Sequence, residues 1–399
     1  MQSHGPSRRS GVPPFTVMTV LARVAELRAA GREVISLCAG EPSQGAPADV
    51  RRRLAELMSE PLPLGYSETF GIRPLREQLA AHYGRWYGLE VDPARVAITT
   101  GSSGAFLLTF LAAFDPGDRV LLARPGYPAY RNILTSLGCT VVELDCGPEL
   151  RFQPSVEQLD QALRDGPVAG LVVASPANPT GTMIDDDHLA ALAHWCRDHE
   201  VRLISDEIYH GISYTGTVGS CALAHDQQSV IISSFSKYWG MTGWRLGWAV
   251  LPDDLVPGFD ALAGNIALCP PVPAQHAAIA AFTDASYAEA ETAVAGFAEA
   301  RRVILDAVDD LGWSGLAPVD GAFYVYAGIH DQLRGRFSTS ADWAAALLED
   351  HGVAITPGLD FDGVHGDSWI RLSLAAGPTA VAAAIDRILD FQGRLVRTE

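Results

Sequence analysis

The stretch Ser233–Trp248, SSFSKYWGMTGWRLGW, decides the reading of the chain, and Lys237 is its centre. The preceding SVIISS is a short β-branched run closed by polar residues, the pattern of a buried strand. A lysine just past such a strand, among Ser234, Ser236, Trp239 and Gly240, is withdrawn from water, and Arg245 adds a like charge nearby. Both effects disfavour the ammonium and lower its pKa, which suits an amine that attacks a carbonyl. A lone Ser-x-Ser-Lys is also what a strand ending in a solvated loop looks like, so the case rests on what the rest of the chain places beside it.

Working outward, Val201–Ser205 reads as a strand ending in DEIYHG. Asp206 at that end is either a helix N-cap or a buried carboxylate in need of a cation. Val168–Ala174 is a buried strand running into SPANPTG, Ser175–Gly181. Two prolines there flank Asn178 and fix a rigid turn at the strand's C-terminal end, where ligands sit in open α/β sheets. Val96–Thr100 breaks into GSSGAF before a helix expected over Ala105–Phe114. Strand, Gly-rich turn and helix point free N–H groups and a helix dipole at an anion, although most such turns merely cap a helix. Arg119–Ala123 leads into RPGYPAYRN, in which Tyr130 is expected to pack. Glu207 and His210 read as structural, and Trp239, Trp244 and Trp248 as core.

Taken together, SPANPTG, SDEIYHG, SFSKYWGMTGWRLGW and IRLSLA resemble the signatures of the class I/II aminotransferases, fold type I of the pyridoxal-phosphate enzymes (the aspartate aminotransferase superfamily). The resemblance runs from Gly40 to Arg371 in the family's order. It implies that Lys237 holds the aldehyde of pyridoxal 5'-phosphate and then serves as general base on the substrate Cα. Asp206 would pair with the pyridine nitrogen, Asn178 and Tyr209 would bond the ring oxygen, and Tyr127 would stack on the ring. Ser102, Ser103, Gly104, Ser234, Ser236 and Arg245 would hold the phosphate. Tyr66, in a Y-x4-G pattern with Gly71, would reach the phosphate of a neighbouring subunit, making the protein a homodimer. On the substrate side, Gly40 would let backbone approach, Asn178 would contribute, and Arg371 would clamp the α-carboxylate with two parallel bonds.

The activity so implied is exchange of an amino group between an L-amino acid and a 2-oxo acid, with ping-pong kinetics. Rivals that keep the cofactor are a C–S lyase working by β-elimination, cyclopropane formation and an oxygen-dependent oxidase. A regulatory domain that binds the cofactor without catalysis is more remote, because too few residues precede the first motif to form a DNA-binding domain. Ser103 stands where aspartate-specific relatives can carry a lysine, and GAFYVYA is aromatic, so the substrate side chain is expected to be neutral or aromatic.

The formal net charge of −18 argues against nucleic acid, since no basic stripe could neutralise phosphates. Six cysteines without CxxC spacing suggest neither a disulfide framework nor a metal site, and they fit a reducing cytoplasm. No apolar stretch is long enough to span a bilayer, and residues 1–15 read as a flexible lead-in. Strands and helices alternate through residue 251, which predicts α/β architecture: a large domain with a doubly wound, mostly parallel seven-stranded sheet. A smaller α+β domain is expected from the two ends of the chain. The expected boundaries are 1–45 and 276–399 for the small domain and 46–275 for the large one, with Arg371 on a small-domain strand that closes over substrate.

Overall fold

The computed structural model describes residues 5–333 and 335–397; residues 1–4, 334, 398 and 399, which include the start of the expected lead-in, lie outside the described residues. The strands in chain order are β1 Ile35–Ser36, β2 Val96–Thr99, β3 Arg119–Arg124, β4 Thr140–Asp145, β5 Gly170–Ala174 and β6 Arg202–Asp206. They continue with β7 Val230–Ser234, β8 Gly247–Val250, β9 Tyr324–Gly328, β10 Val353–Ala354, β11 Thr356–Pro357 and β12 Trp369–Ser373. Seven of them form one sheet in the order β2-β8-β7-β6-β5-β3-β4. β8 alone runs antiparallel to both its neighbours, so the sheet is mostly parallel, as the alternation of elements predicted.

The strands are short apolar runs because helices cover both faces, and the period of two sorts their side chains. Val96, Ile98, Leu121, Leu171, Val173, Leu203 and Ile231 enter one apolar cluster with Leu75, Leu159 and Leu189 from helices. Ala97, Val120, Leu122, Val172, Ile204 and Ile232 enter another with Phe106, Phe110 and Phe259. The helices Pro128–Leu137, Val156–Arg164 and Val256–Ile266 are not evident from sequence periodicity. Local chemistry starts them all the same. Proline occupies the first turn of Pro128–Leu137 and of Val256–Ile266, and Ser155 with Gln158 forms a capping box. The long helix that the sequence suggests from about Ala285 to Leu311 as one piece is interrupted at Ala307, between Asp284–Asp306 and Val308–Leu311.

One correction bears on the site. The helix expected to begin at Ala105 begins at Gly101 and runs to Ala113, so Ser102, Ser103 and Gly104 lie in its first turn rather than in a preceding loop. Gly101 takes φ +67°, which lets the chain turn from β2 straight into helix. A side chain on Gly247 of β8 would meet the backbone of Gly101 and Ser102 at 2.7 Å, so glycine there lets the helix start press against the sheet.

The two ends of the chain meet. β1 pairs in parallel with β10, Ile35 opposite Val353, and β11-β12-β9 form a separate antiparallel sheet in which Arg371 stands between Thr356 and Tyr326. The helix Thr16–Ala29 packs Val24 and Leu27 against Val34, Leu348 and Ala354. Among the described residues no helix is long and apolar enough to cross a membrane.

Behind the end of β6, Glu207 and His210 are buried. Glu207 accepts from Ser205 Oγ at 3.1 Å and from the Ala222 amide at 2.9 Å, while its second oxygen has no hydrogen-bond partner. His210 Nδ1 lies 2.6 Å from the Tyr87 hydroxyl. Burial pushes Glu207 up to about 7 and His210 down to about 3. The native state thus holds the Glu207 proton more tightly than the unfolded chain, so this carboxyl's contribution to stability declines as pH rises through the interval up to about 7. Buried histidines act with the opposite sign, so the test is a difference. Glu207→Gln should gain up to about 3 kcal/mol on the native protein between pH 5 and pH 8. Denaturant melts of both proteins across that range check it, and a pH-independent difference would contradict the assignment.

Candidate active site

A cavity of about 520 Å³ opens at the C-terminal ends of the parallel strands. β3 delivers Tyr127, β5 delivers Asn178, β6 ends on Asp206, and the turn after β7 presents Ser236 and Lys237. Gly40, Ser102, Ser103, Tyr209, Arg245 and Arg371 also line it, so eleven of the residues singled out in the sequence share one space. Three do not line it. Ser234 is buried beneath, its hydroxyl accepting from the Ser236 amide at 3.0 Å, and Gly104 sits deeper in the helix turn. Tyr66 is 83% exposed on the surface of this single chain.

Lys237 is the only lysine among the 399 residues. It is half-buried, and its amine donates to the Gly40 carbonyl at 2.5 Å. Burial, and next the positive charge of Arg371, lower its pKa to about 8, so a sizeable fraction is a neutral, nucleophilic amine near neutrality. Asp206 is 5% exposed, and burial raises it to about 6 against the opposing pull of hydrogen bonds from Tyr130 and the Ile208 amide. Tyr209 and Tyr324 share a hydrogen bond at 2.8 Å, and burial holds the Tyr209 phenol well above its usual range.

Arg371 is 4% exposed and held from several sides. It donates to Asn178 Oδ1 at 2.9 Å and to the Cys38 carbonyl at 3.0 Å, and its guanidinium lies 4.5 Å from the centre of the Tyr324 ring and 4.8 Å from that of Phe361. Its Nε is buried without an acceptor, which is the donor an incoming carboxylate would satisfy.

The residues fit pyridoxal phosphate on the structure's own terms. The helix at Gly101 has no side-chain cap, so its first-turn N–H groups, Ser102, Ser103 and Arg245 together offer a cup for a phosphate dianion. Asp206 has no ion pair among the described residues, and the protonated nitrogen of a pyridine ring would supply one. Tyr127 provides an aromatic face beside it.

Several lining residues escape the sequence reading. Tyr130 does more than pack: its hydroxyl bonds Asp206 Oδ2. The signal was the PGYPAY string, because Pro128 opens a helix in which Tyr127 is the N-cap and Tyr130 falls one turn on. Residues 5–15, read as a lead-in, end in Phe15, whose ring lies 6.3 Å from that of Tyr127 at 26°. Phe15, Val17, Met18 and Leu21 form an apolar wall with Phe361, and Asp360 accepts from the Thr16 and Val17 amides at 2.8 and 3.0 Å to fix the start of that helix. Such a wall depends on a contact across more than 300 residues, which no local pattern discloses. Trp239 and Trp248 are core as expected, whereas Trp244 is half-buried and faces a separate groove with Ala46 and Leu54.

Comparison with known proteins gives a consistent family. The family model described as aminotransferase class I and II matches residues 32–388. Valine–pyruvate aminotransferase of Mycobacterium tuberculosis is 50% identical over 381 residues, 95% of this chain and 96% of the relative. The crystal structure of an aminotransferase from Mycobacterium tuberculosis superposes with a TM-score of 0.94 at 49% identity, covering 98% of this chain and 99% of the other. Aspartate aminotransferase from Thermus thermophilus with maleate gives a TM-score of 0.90 at 31% identity, covering 97% and 99%.

The geometry makes a prediction for Tyr130. Tyr130→Phe removes the donor to Asp206 Oδ2, so the Asp206 pKa in the cofactor-free protein should rise by about one unit. Carbon-13 NMR of labelled aspartate carboxyls reads it, and an unchanged titration would show that the bond does not hold the carboxylate.

Proposed function

The chain belongs to the class I and II aminotransferases and is a pyridoxal-phosphate-dependent transaminase, and from that premise we propose that its amino donors carry small apolar side chains, with valine and pyruvate as the model pair. The observation that carries this is the wall of Phe15, Val17, Met18, Leu21 and Phe361 facing Lys237 and Arg371. An aliphatic side chain removed from water against such a surface gains about 25 cal/mol per Å². A side-chain carboxylate would meet Glu41 and Asp360 among the residues lining the same cavity. The cations of this chain that line the cavity, Lys237, Arg245 and Arg371, each have another task in the reading below. The 50% identical relative, named for valine and pyruvate, supports the same substrate class.

In this reading Ser102, Ser103, Gly104, Ser234, Ser236 and Arg245 hold the phosphate, with Ser234 and Gly104 acting through the backbone they support. Tyr127 stacks on the ring, and Asn178 and Tyr209 bond its oxygen. When bound, the cofactor supplies an electron-withdrawing ring that stabilises negative charge on the substrate Cα. Asp206 keeps a proton on the ring nitrogen, and Tyr130 keeps Asp206 in place. Arg371 and Asn178 take the α-carboxylate, and Gly40 gives the substrate room beside the backbone. The neutral amine of Lys237 accepts the Cα proton. Residues 46–275 act as the large domain, with 1–45 and 276–399 as the small one that brings Arg371 and the apolar wall over the substrate.

The protein is proposed to work as a homodimer in the cytoplasm. Met58, Leu62, Tyr66, Ile266 and Leu268 are half or more exposed, an apolar surface suited to a second copy that would receive Tyr66 at its phosphate. The six unpaired cysteines, five of them buried, suit a reducing compartment. Light scattering should give twice the 42.6 kDa chain mass. In that dimer, Tyr66→Phe should raise the cofactor Kd about tenfold with no change in mass; a monomer, or an unaltered Kd, refutes the arrangement.

Substrate class is tested on the purified holoenzyme. With pyruvate as acceptor, kcat/KM for L-valine should exceed that for L-aspartate about a hundredfold. Arg371→Lys should lower kcat/KM for every donor by a similar factor, about a hundredfold, because the flat two-donor fork is lost. Preference for aspartate would overturn the apolar reading, and ammonia with pyruvate released from one amino acid would point to elimination.

A further inference from the structure

Of the 29 lysine and arginine side chains all but Lys237 are arginine. Guanidinium groups stay protonated at any working pH and are poor nucleophiles, so the chain offers a single side-chain amine to an electrophile. That amine is not on the surface. It projects into the cavity, bonded to one backbone carbonyl, and among the described residues it has no ion pair with a carboxylate that would hold it as an ammonium. The same cavity carries the phosphate cup of Ser102, Ser103, Ser236 and Arg245. A nucleophilic amine and an anion cup in one space of about 520 Å³ suit a small molecule with a phosphate at one end and an electrophilic carbon at the other.

We propose that Lys237 is the chain's sole lysine-acylation site, and that a small acyl phosphate, seated by its phosphate in the cup, acylates the cofactor-free enzyme there and silences it. The amine nitrogen attacks the acyl carbon and a C–N bond forms. The C–O bond to phosphorus-bound oxygen breaks, its electron pair leaves with inorganic phosphate, and the nitrogen gives up a proton to water. The resulting amide can neither hold an aldehyde nor accept a proton. Bound cofactor occupies both the amine and the cup, so the loaded enzyme is protected. An enzyme that stays unloaded is sealed, which makes active enzyme depend on cofactor supply. The silencing and protection rest on Lys237 being the aldehyde-holding residue of the proposed function; acylation itself does not.

The test uses purified full-length protein, stripped of cofactor, with acetyl phosphate as probe, followed by intact mass and peptide mapping. One acetyl group should appear on the peptide carrying Lys237, with the α-amino terminus mapped separately. Loading with cofactor at a hundred times its Kd should slow the reaction about a hundredfold. The rate should rise with pH and level off above about 8, the value set by burial of Lys237. Arg245→Ala should slow acetylation by acetyl phosphate about tenfold more than acetylation by uncharged N-hydroxysuccinimidyl acetate, which feels only the rise in the Lys237 pKa that follows loss of the Arg245 charge. Failure of the adduct to form at Lys237, equal slowing of both donors by Arg245→Ala, or no protection by cofactor would each overturn the proposal. Because the adduct is read by mass without turnover, failure of acylation is separable from failure of the transaminase reading, which shows as absent valine–pyruvate activity in a protein that still acetylates.

Discussion

Asp206 is a carboxylate buried at the end of a central parallel strand, and the cost of that burial shapes everything near it. An ionised carboxyl withdrawn from water without a cation is expensive, and two hydrogen bonds, from Tyr130 and the Ile208 amide, offset only part of the penalty. The pKa of about 6 is the residue of that imbalance. A pyridinium nitrogen would remove it, and in return the carboxylate would keep the ring cationic and able to take up negative charge. On the proposed role of Asp206, the site is complete in electrostatic terms only with its cofactor. The parallel sheet brings this about by ending β5, β6 and β7 at one edge, so that Asn178, Asp206 and Lys237 converge without any of them being near in sequence.

A second demand would come from the substrate, whose carboxylate, on the proposed reading, is met by Arg371. Arg371 arrives on β12, from the far end of the chain, and is fixed by Asn178 on one side and the Cys38 carbonyl on the other. Lys237 bonds the carbonyl of Gly40, two residues further along. The short segment Cys38–Gly40 thus lies between the two cations and accepts from both. Asp360 meanwhile ties the start of the Thr16–Ala29 helix to the segment that holds Phe361 against Arg371. Arg371 and the apolar wall are thus mechanically one unit, and on the proposed role of Arg371 side-chain fit and carboxylate grip would change together.

The parts legible in the sequence are those whose chemistry is local. Buried strands announce themselves as β-branched runs, and the turns after them, SPANPTG, SDEIYHG and SFSKYWG, carry their functional residues within a few positions of the strand end. The mostly parallel sheet follows from that, and the eleven cavity residues from the family resemblance that these strings and IRLSLA carry. What was missed depends on packing over distance. Phe15 looks like the end of a polar leader until Tyr127 and Asp360 are beside it, and Tyr130 looks like a core aromatic until Asp206 is opposite its hydroxyl. The start of the helix at Gly101 was misplaced because a glycine at positive φ can turn a strand into a helix with no loop at all, and nothing in GSSGAF distinguishes the two. Tyr66 is read from a pattern alone, since a single chain leaves it in solvent.

The near-absence of lysine follows the same chemical logic outward to the surface. Arg53 pairs with Glu56, Arg73 with Glu77 and Arg302 with Asp306 on exposed helix surfaces where lysine would serve a single ion pair equally well. Exposed pairs of this kind contribute little to stability, typically under about 1 kcal/mol, so they do not explain the choice. Reactivity separates the two residues more sharply. An exposed ammonium releases a small fraction of neutral amine at neutral pH, enough to capture aldehydes, whereas a guanidinium releases essentially none. If Lys237 holds the cofactor aldehyde as proposed, it is better served when no other side chain competes for it. The arginine surface and the buried, depressed Lys237 act in the same direction, concentrating amine nucleophilicity in the cavity where Asp206, Arg245 and Arg371 can direct it.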